Sequence, residues 1–273
     1  MRGREKAPQT LSLMDNLFSL DAVSPGALAA ILAVGVAAGF LNVVAGGGSL
    51  LAMPVLIFAG LPETVANGTI RLAILAQNAV AVLRYHRAGR IDIALVRALV
   101  PPILVGAAIG AAAGTLIPDS GFRVILGSVM LASAVAVIVG PTRLTGHRET
   151  GPPITRPWVV WPVFLIVGFY GGLIQVAVGY LLLAVLTLVV GLGLVEANVI
   201  KVVLVLAYTP LAIGIFLGGD KINLWLGLVL AVGHSVGAWI GAGCTLERGV
   251  NFIRVVLALT VVLVGVKLLG FIG

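Results

Sequence analysis

The feature that most constrains this chain is its series of long apolar runs, joined by short polar connections. Ten runs can be read from the sequence. Eight of them are long enough to cross roughly 30 Å of hydrocarbon as α-helices, whereas 49–60 and 180–191 are too short to cross unaided. The runs are 25–45, 49–60, 65–85, 93–117, 122–139, 158–178, 180–191, 195–217, 224–245 and 250–269.

Composition points to the same class. Of the 273 residues, 60% are hydrophobic and 10% are charged, whereas a soluble domain has about 25% charged residues. The alternating pattern of a membrane β-barrel is missing. The sequence therefore predicts an all-α polytopic membrane protein, embedded in the lipid bilayer, with eight full transmembrane helices and two short broken or re-entrant segments, which gives 8–10 spans.

The formal net charge of +7 does not indicate a nucleic-acid partner. The basic residues lie in connections between apolar runs, as the positive-inside bias predicts, with Arg84, Arg87 and Arg90 as an example. Aromatic residues do not alternate with them to form a stacking surface. Cys244 is the one cysteine, which excludes an internal disulfide and a multi-cysteine metal site. Residues 1–24 are interpreted as a polar tail.

An internal repeat divides the chain. The stretch VGAAIGAAAGTL (105–116) recurs as VGHSVGAWIGAGCTL (232–246), with the same Gly-xxx-Gly-xxx-Gly spacing. Such spacing is typical of close helix packing. The predicted organisation is a tail (1–24), a first transmembrane repeat (25–140), a connecting loop (141–157) and a second repeat (158–273). Two-fold repeats are common in secondary transporters, whose sites lie where broken helices meet.

The orientation of the two repeats stays open at this point. If the short segments only re-enter the membrane, the repeats are parallel, and the tail, the Arg-rich connections and Lys221 share the inside. If the short segments cross, the repeats are inverted and the tail moves to the outside. Charge counts do not separate these two arrangements.

Two cations occupy matching places in the repeats. Arg71 lies near the start of one apolar run, and Lys201 lies at the corresponding place in the second half. Ionisable residues within membrane spans are costly and indicate function, although long basic side chains also extend to the interface. The pair suggests a site for a small anionic substrate.

Groups suited to an anion lie around these cations. The break at Gly46, Gly47 and Gly48 frees backbone N–H groups at a helix end, where the dipole favours negative charge. Its alternative role is a tight turn. Polar side chains that can donate or accept in the bilayer complete the candidate substrate site: Asn42, Asn67, Thr69, Gln77, Asn78, Gln175, Asn198 and Tyr208.

Three residues are candidates for coupling transport to a proton or another cation. Glu63 and Glu196 precede the Ala-Asn element of each half, and His234 lies on a Gly-rich face. A desolvated carboxylate or an imidazole can bind a proton near neutral pH. The alternatives are interfacial carboxylates and a hydrogen-bonded packing histidine. Signatures of catalysis are missing, because Ser49 has no His and acid partners arranged to serve it and no nucleotide or zinc motif occurs. We therefore expect no enzyme activity, no cofactor and no metal.

Taken in order, several stretches of this chain resemble the sulfite exporter TauE/SafE family of membrane transporters. They are GFLNVVAGGGSLLAMPVLIFAGLPETVANGTIR (39–71), LAQN (75–78), GFYGGLIQVAVGYLLLAVLTLVVGL (168–192), EANVIKVVLVLAYT (196–209) and GAWIGAGCTLERGVNFIRVVL (237–257). The resemblance implies an internally duplicated protein of the cytoplasmic membrane that moves sulfur-containing or small organic anions. Two departures are Ile70, where relatives often have Asn, and VAVG (176–179), where many have more glycine.

The sequence thus predicts a secondary transporter, with export as the expected direction, in the bacterial cytoplasmic (inner) membrane. Its expected substrate is sulfite, an organosulfonate or a related sulfur-containing or carboxylate anion. A passive anion channel and a non-transporting scaffold or sensor subunit are the alternatives. The substrate, the coupling ion and a homo-oligomeric state stay open.

Overall fold

The computed structural model describes residues 25–139 and 155–270, and the regular secondary structure within these ranges is helical. This confirms the all-α prediction for the described residues, while the tail and most of the connecting loop lie outside them. The helices are α1 Pro25–Val44, α2 Ser49–Phe58, α3 Glu63–Arg87, α4 Ile93–Leu116, α5 Asp119–Val139, α6 Pro157–Leu173, α7 Val178–Val185, α8 Leu194–Gly218 and α9 Leu224–Gly270. A π-helical turn, Leu186–Val190, follows α7, and α9 is interrupted at Gly249 (φ 64°, ψ −151°).

Four helices in the described ranges are long and apolar enough to cross a membrane: Glu63–Arg87, Ile93–Leu116, Leu194–Gly218 and Leu224–Gly249. Shorter apolar helices cover Leu28–Val44, Ser49–Phe58, Pro157–Leu173 and Val178–Val190. The short segments expected near 49–60 and 180–191 are therefore present as short helices. The count of eight full spans and the division into two repeats stay predictions.

One predicted span is too long. The apolar run 158–178 was expected to form a single helix, but α6 ends at Leu173. The helix stops because the amide N–H of Gln175 donates to the Asn67 side chain (3.0 Å) instead of a carbonyl one turn earlier. Hydropathy carries no information on such a break, because the residues beyond it are equally apolar.

Glycines allow two helix pairs to pack backbone against backbone. A Cβ atom built at Gly39 on α1 would lie 2.6 Å from Cα of His234 on α9. A Cβ atom at Gly168 on α6 would lie 2.9 Å from Cα of Ile103 on α4. Real side chains do not approach this closely, so glycine at these positions is what permits the contact. The Gly-xxx-Gly faces therefore serve as packing surfaces.

The directions of α1, α3 and α9 follow from which residues meet. α1 and α9 run parallel, because Gly35 meets Leu230 and Val44, further along α1, meets Gly241. α3 and α9 also run parallel, because Leu72 meets Gly227 and Arg84 meets Gly243. Since α1 and α3 point the same way, the chain must return between them. α2 makes that return.

The helices α4, α6 and α8 are arranged in the opposite sense. α4 and α6 run parallel, because Gly106 meets Leu165 and Gly114 meets Leu173. The short connections 88–92 and 219–223 reverse the chain, so α4 runs antiparallel to α3 and α9 runs antiparallel to α8. α4, α6 and α8 therefore run opposite to α1, α3 and α9. Because α6 and α8 share a direction, α7 makes the return between them.

The bundle has two chemically different ends, named here by residues of α3. The Glu63 end contains Glu63, Asp119 and Lys221, and it is tied together by Glu63, which accepts from Arg123, and by Asp119, which accepts from the Thr64 hydroxyl. The Arg84 end contains a group of arginines: Arg84, Arg87, Arg90, Arg156 and Arg248. At this end Arg84 donates to the Trp239 carbonyl and lies 3.8 Å from Glu247.

Candidate functional site

Arg71 lies on α3, fully buried, and holds the end of α6. Its Nη1 donates to the Gly171 carbonyl oxygen and to Gln175 Oε1, both at 3.0 Å, and its Nη2 donates to the Gly172 carbonyl oxygen at 2.5 Å. The guanidinium lies over the Phe216 ring, 4.5 Å from its centre. A cation at the carbonyl end of a helix is favourable because the dipole is negative there.

Three amide and hydroxyl groups extend this contact. Asn67, one turn before Arg71, donates to the Leu173 carbonyl oxygen at 2.9 Å, and its own Oδ1 accepts from the Gln175 N–H. The Gln175 side chain also reaches the Tyr208 hydroxyl at 3.3 Å. The first and second halves are thus joined by buried hydrogen bonds at the point where α6 ends. We refer to Asn67, Arg71, Gln175 and Tyr208 as the Arg71 network.

Lys201 makes the corresponding contact from the second half of the chain to the first. It lies on α8 with only 2% of its surface exposed. Its Nζ donates to the carbonyl oxygens of Asn42 (3.1 Å) and Val43 (3.2 Å), the last residues of α1, and to Asn198 Oδ1 at 2.6 Å. Asn198 in turn donates to the Tyr85 hydroxyl at 3.4 Å. We refer to Lys201, Asn198 and Tyr85 as the Lys201 network.

The two cations differ in how completely they are bound. An ammonium group has three donors, and those of Lys201 all have acceptors. Arg71 has five donors, and its buried Nε has no hydrogen-bond partner among the described residues. The Arg71 network therefore retains donor capacity for a further acceptor. Each cation holds a different helix end, and the expectation that both belong to one anion site stays a prediction.

The two helix breaks meet each other. Gly46, with φ +93°, ends α1, and a Cβ atom there would lie 2.5 Å from the Gly179 carbonyl carbon. Ser49, the first residue of α2, accepts through its hydroxyl a hydrogen bond from the Ala177 N–H at 3.1 Å. The starts of α2 and α7 are therefore side by side, with the positive ends of both helix dipoles together.

The remaining glycines of the first break are tightly enclosed. A side chain at Gly47 would collide with the Tyr180 hydroxyl, and one at Gly48 would collide with the Ala38 carbonyl oxygen. The second break forms with little glycine, because Ala177 adopts φ 60°. That conformation is unusual for a residue with a Cβ atom and costs about 1–2 kcal/mol.

Other predicted site residues lie away from the breaks. The Thr69 hydroxyl accepts from the Asn223 N–H at 2.9 Å, so it fixes the start of α9. Gln77 and Asn78 lie further along α3 with 1% and 3% of their surface exposed. Gln77 Oε1 and Asn78 Nδ2 have no hydrogen-bond partner within the described ranges.

The three coupling candidates occupy different environments. Glu63 is largely buried and pairs with Arg123 at 2.5 Å, whereas Glu196 is exposed at the start of α8. His234 is fully buried, and neither of its ring nitrogens has a partner in the part of the chain that the structure describes. Both carboxylates lie near helix ends, as in the alternative interfacial role, and their coupling role stays a prediction.

Several participating residues were not selected from the sequence. They are Ser49, Tyr85, Ala177, Phe216 and Asn223. Asn223 follows a helix-start signal, because its Oδ1 accepts from the Leu226 N–H at 2.9 Å and Asn is favoured at that position. Phe216 and Ala177 carry no polar group that a sequence pattern could identify. Among the described residues, no cluster of three or more His, Cys, Asp or Glu is placed to bind a metal.

Comparison with known proteins finds membrane transporter proteins. The chain is 24% identical over 233 residues to probable membrane transporter protein ORF9 of Sinorhizobium sp., which covers 85% of this chain and 88% of that protein. It is 27% identical over 261 residues to probable membrane transporter protein YfcA of Escherichia coli K12, which covers 94% of both chains. A Haemophilus influenzae probable membrane transporter protein is 25% identical over 227 residues, 83% of this chain and 88% of that protein.

No solved structure matches the chain. The family model described as Sulfite exporter TauE/SafE matches residues 31–268. This range includes both helix breaks, Arg71 and Lys201. The chain is a membrane transporter protein that belongs to the sulfite exporter TauE/SafE family.

Proposed function

We propose that this protein is a secondary transporter of a small anion, most simply an exporter of sulfite, an organosulfonate or a related sulfur-containing or carboxylate anion. The proposal rests on a reciprocal arrangement of two buried cations. Arg71 of the first half binds the end of α6 in the second half, and Lys201 of the second half binds the end of α1 in the first half. A scaffold or sensor subunit needs no such matched buried cations.

The proposed anion site lies where the two breaks meet. The cations compensate the negative carbonyl ends of α1 and α6, while the starts of α2 and α7 present positive dipole ends beside Gly46 and Gly179. An anion at this point would be attracted by backbone N–H groups, as in other transporters with broken helices. The free Nε of Arg71 would add a charged donor.

The proposed transport unit consists of two inverted halves, 25–140 and 158–273. This proposal is supported by the helix directions, which are reversed between α1 and α6 and between α3 and α8. By the positive-inside bias, the Arg84 end faces the cytoplasm and the Glu63 end faces outside. The bacterial cytoplasmic membrane fits this orientation, and alternating access would arise from movement of one half against the other.

The experiment that tests the function is flux into and out of proteoliposomes containing the purified protein. Sulfite, sulfate, taurine, sulfoacetate and short carboxylates would each be supplied in labelled form. A secondary transporter gives saturable flux that responds to an imposed gradient. A passive channel gives flux that does not saturate, and a scaffold or sensor subunit gives none above protein-free liposomes.

A further inference from the structure

Three buried polar side chains in the middle of the bundle leave hydrogen-bonding atoms unused. Both ring nitrogens of His234, Oε1 of Gln77 and Nδ2 of Asn78 have no partner within the described residues. All three side chains are at most 3% exposed. Buried polar groups in folded proteins are nearly always paired with protein or with ordered water. Several unpaired groups in one region therefore indicate a site for water or another ligand.

The register of α3 against α9 places these groups at one level. Thr69 and Leu72 of α3 meet Gly227 of α9, and Arg84 meets Gly243. Because the two helices run parallel with the same rise per residue, the region of Gln77 and Asn78 lies level with His234. The apolar residues one turn above and below, including Ile74 and Leu230 on one side and Ala81 and Ala238 on the other, belong to the packed core. The polar groups form a layer between them.

His234 is also mechanically linked to the Lys201 network. Its backbone lies directly against Gly39 of α1, where no side chain would fit. The carbonyl oxygens that bind Lys201 belong to Asn42 and Val43, one turn further along the same helix. A change in the packing of α9 on α1 at His234 would therefore be transmitted to the Lys201 contacts.

The ionisable groups on the helices packed against His234 are few. α1 has none in its described range. α3 carries Arg71 and Arg84, about two turns to either side of the polar layer, with Glu63 at one end and Tyr85, His86 and Arg87 at the other. α8 contributes Glu196 at its start, Lys201 and Tyr208. α5 contributes Asp119 and Arg123 at the Glu63 end. None of these is a carboxylate level with His234, so its imidazole is the group in this layer that can take up a proton reversibly.

We infer that His234, with Gln77 and Asn78, forms a hydrated proton-binding site that couples anion movement to a proton, an inference that rests on the proposed function. In the binding step a ring nitrogen lone pair takes a proton from hydronium delivered through the site water, which forms an N–H bond and leaves a water molecule. The reverse step returns that proton on the other side of the membrane. Gln77 Oε1 accepts from the imidazolium or its water, and Asn78 Nδ2 donates to the water.

The proton site is tested first without any substrate. In a variant carrying His86→Gln and His147→Gln, His234 is the only one of the three histidines left, and nitrogen-15 histidine labelling reports its protonation by NMR. The ring signals are expected to change from those of neutral imidazole to those of imidazolium as the pH is lowered through the range in which the protein stays folded. Ring signals that stay those of neutral imidazole down to the pH at which the protein unfolds would overturn the inference. If the double variant does not fold, the difference between labelled wild type and His234→Gln gives the same reading.

The coupling role is tested by labelled sulfite flux in proteoliposomes with and without a pH gradient. Wild type and His86→Gln, a change at an exposed histidine, are expected to respond to the gradient, while flux in His234→Gln no longer responds to it. A full response in His234→Gln would contradict the coupling role. If wild type moves no anion at all, the proposed function fails, and the NMR titration alone decides whether the proton site exists.

Discussion

Lys201 holds the carbonyl oxygen of Asn42 at 3.1 Å, although the two residues lie in opposite halves of the chain. The same Nζ holds the Val43 carbonyl oxygen, so the end of α1 depends on a side chain from α8. Arg71 holds the end of α6 in the same manner. Each half therefore completes a helix end of the other.

Lys201→Met is expected to destabilise the protein. The substitution keeps the side chain's bulk but leaves two buried carbonyl oxygens without their donor, which costs about 1–3 kcal/mol for each unsatisfied group. The melting temperature in detergent, followed by intrinsic fluorescence, should fall clearly below that of wild type. Lys201→Arg keeps the charge and should lose less. A Lys201→Met protein that melts like wild type would show that the contact carries no stability.

Gly46→Ala and Gly60→Ala form a matched pair of substitutions. Both glycines have positive φ, +93° and +98°, but a Cβ atom at Gly46 would meet Gly179, whereas nothing lies within 4 Å of one at Gly60. Both variants should lose roughly 1–2 kcal/mol from the backbone conformation, and Gly46→Ala should lose more because the two breaks collide. Equal losses in unfolding free energy would contradict the close approach of the breaks.

Ala177→Gly is expected to stabilise the protein by up to about 1 kcal/mol, because glycine adopts positive φ without steric cost. Ala112→Gly on the exposed side of α4 is the control and should destabilise by about 1 kcal/mol, as glycine does in a helix interior. Both are measured as changes in unfolding free energy. A loss of stability in both variants would argue against the left-handed conformation of Ala177.

The inverted arrangement is tested by cysteine accessibility. In a Cys244→Ser background, which removes the one native cysteine, Asp220→Cys and Arg90→Cys place single thiols in exposed connections. Inverted halves predict that an impermeant thiol reagent added to intact cells labels Asp220→Cys and not Arg90→Cys. Labelling of neither would favour parallel repeats, in which both connections lie inside, and labelling of both would contradict the inverted arrangement.

The sequence predicted that Arg71 and Lys201 lie deep among the helices, as they do, but not what they bind. Arg71 and Lys201 were identifiable because a charge within an apolar run is rare. Their main acceptors, the carbonyl oxygens of Gly171, Gly172, Asn42 and Val43, belong to the main chain, and residue identity says nothing about a free carbonyl. The positions of these helix ends come only from the three-dimensional structure.

The second break shows a similar limit. The stretch VAVG contains too little glycine to signal a turn, and the predicted helix accordingly ran on to 178. The structure forms the break there with Ala177 at φ 60° and the Ala177 N–H bound to Ser49 of the other half. A tertiary contact compensates for an unfavourable local conformation, and local propensity cannot reveal it. The short helices and the Gly-xxx-Gly packing faces, in contrast, follow from length and spacing alone.

The central claim is that the reciprocal pair of buried cations supports anion transport. The most direct measurement is saturable labelled-sulfite flux in proteoliposomes containing wild type, Arg71→Ala, Lys201→Ala and the half-exposed control Arg84→Ala, each first shown to be folded by gel filtration and melting. The account predicts that flux falls to the level of protein-free liposomes in Arg71→Ala and Lys201→Ala and persists in Arg84→Ala. Wild-type flux in both Arg71→Ala and Lys201→Ala would contradict it.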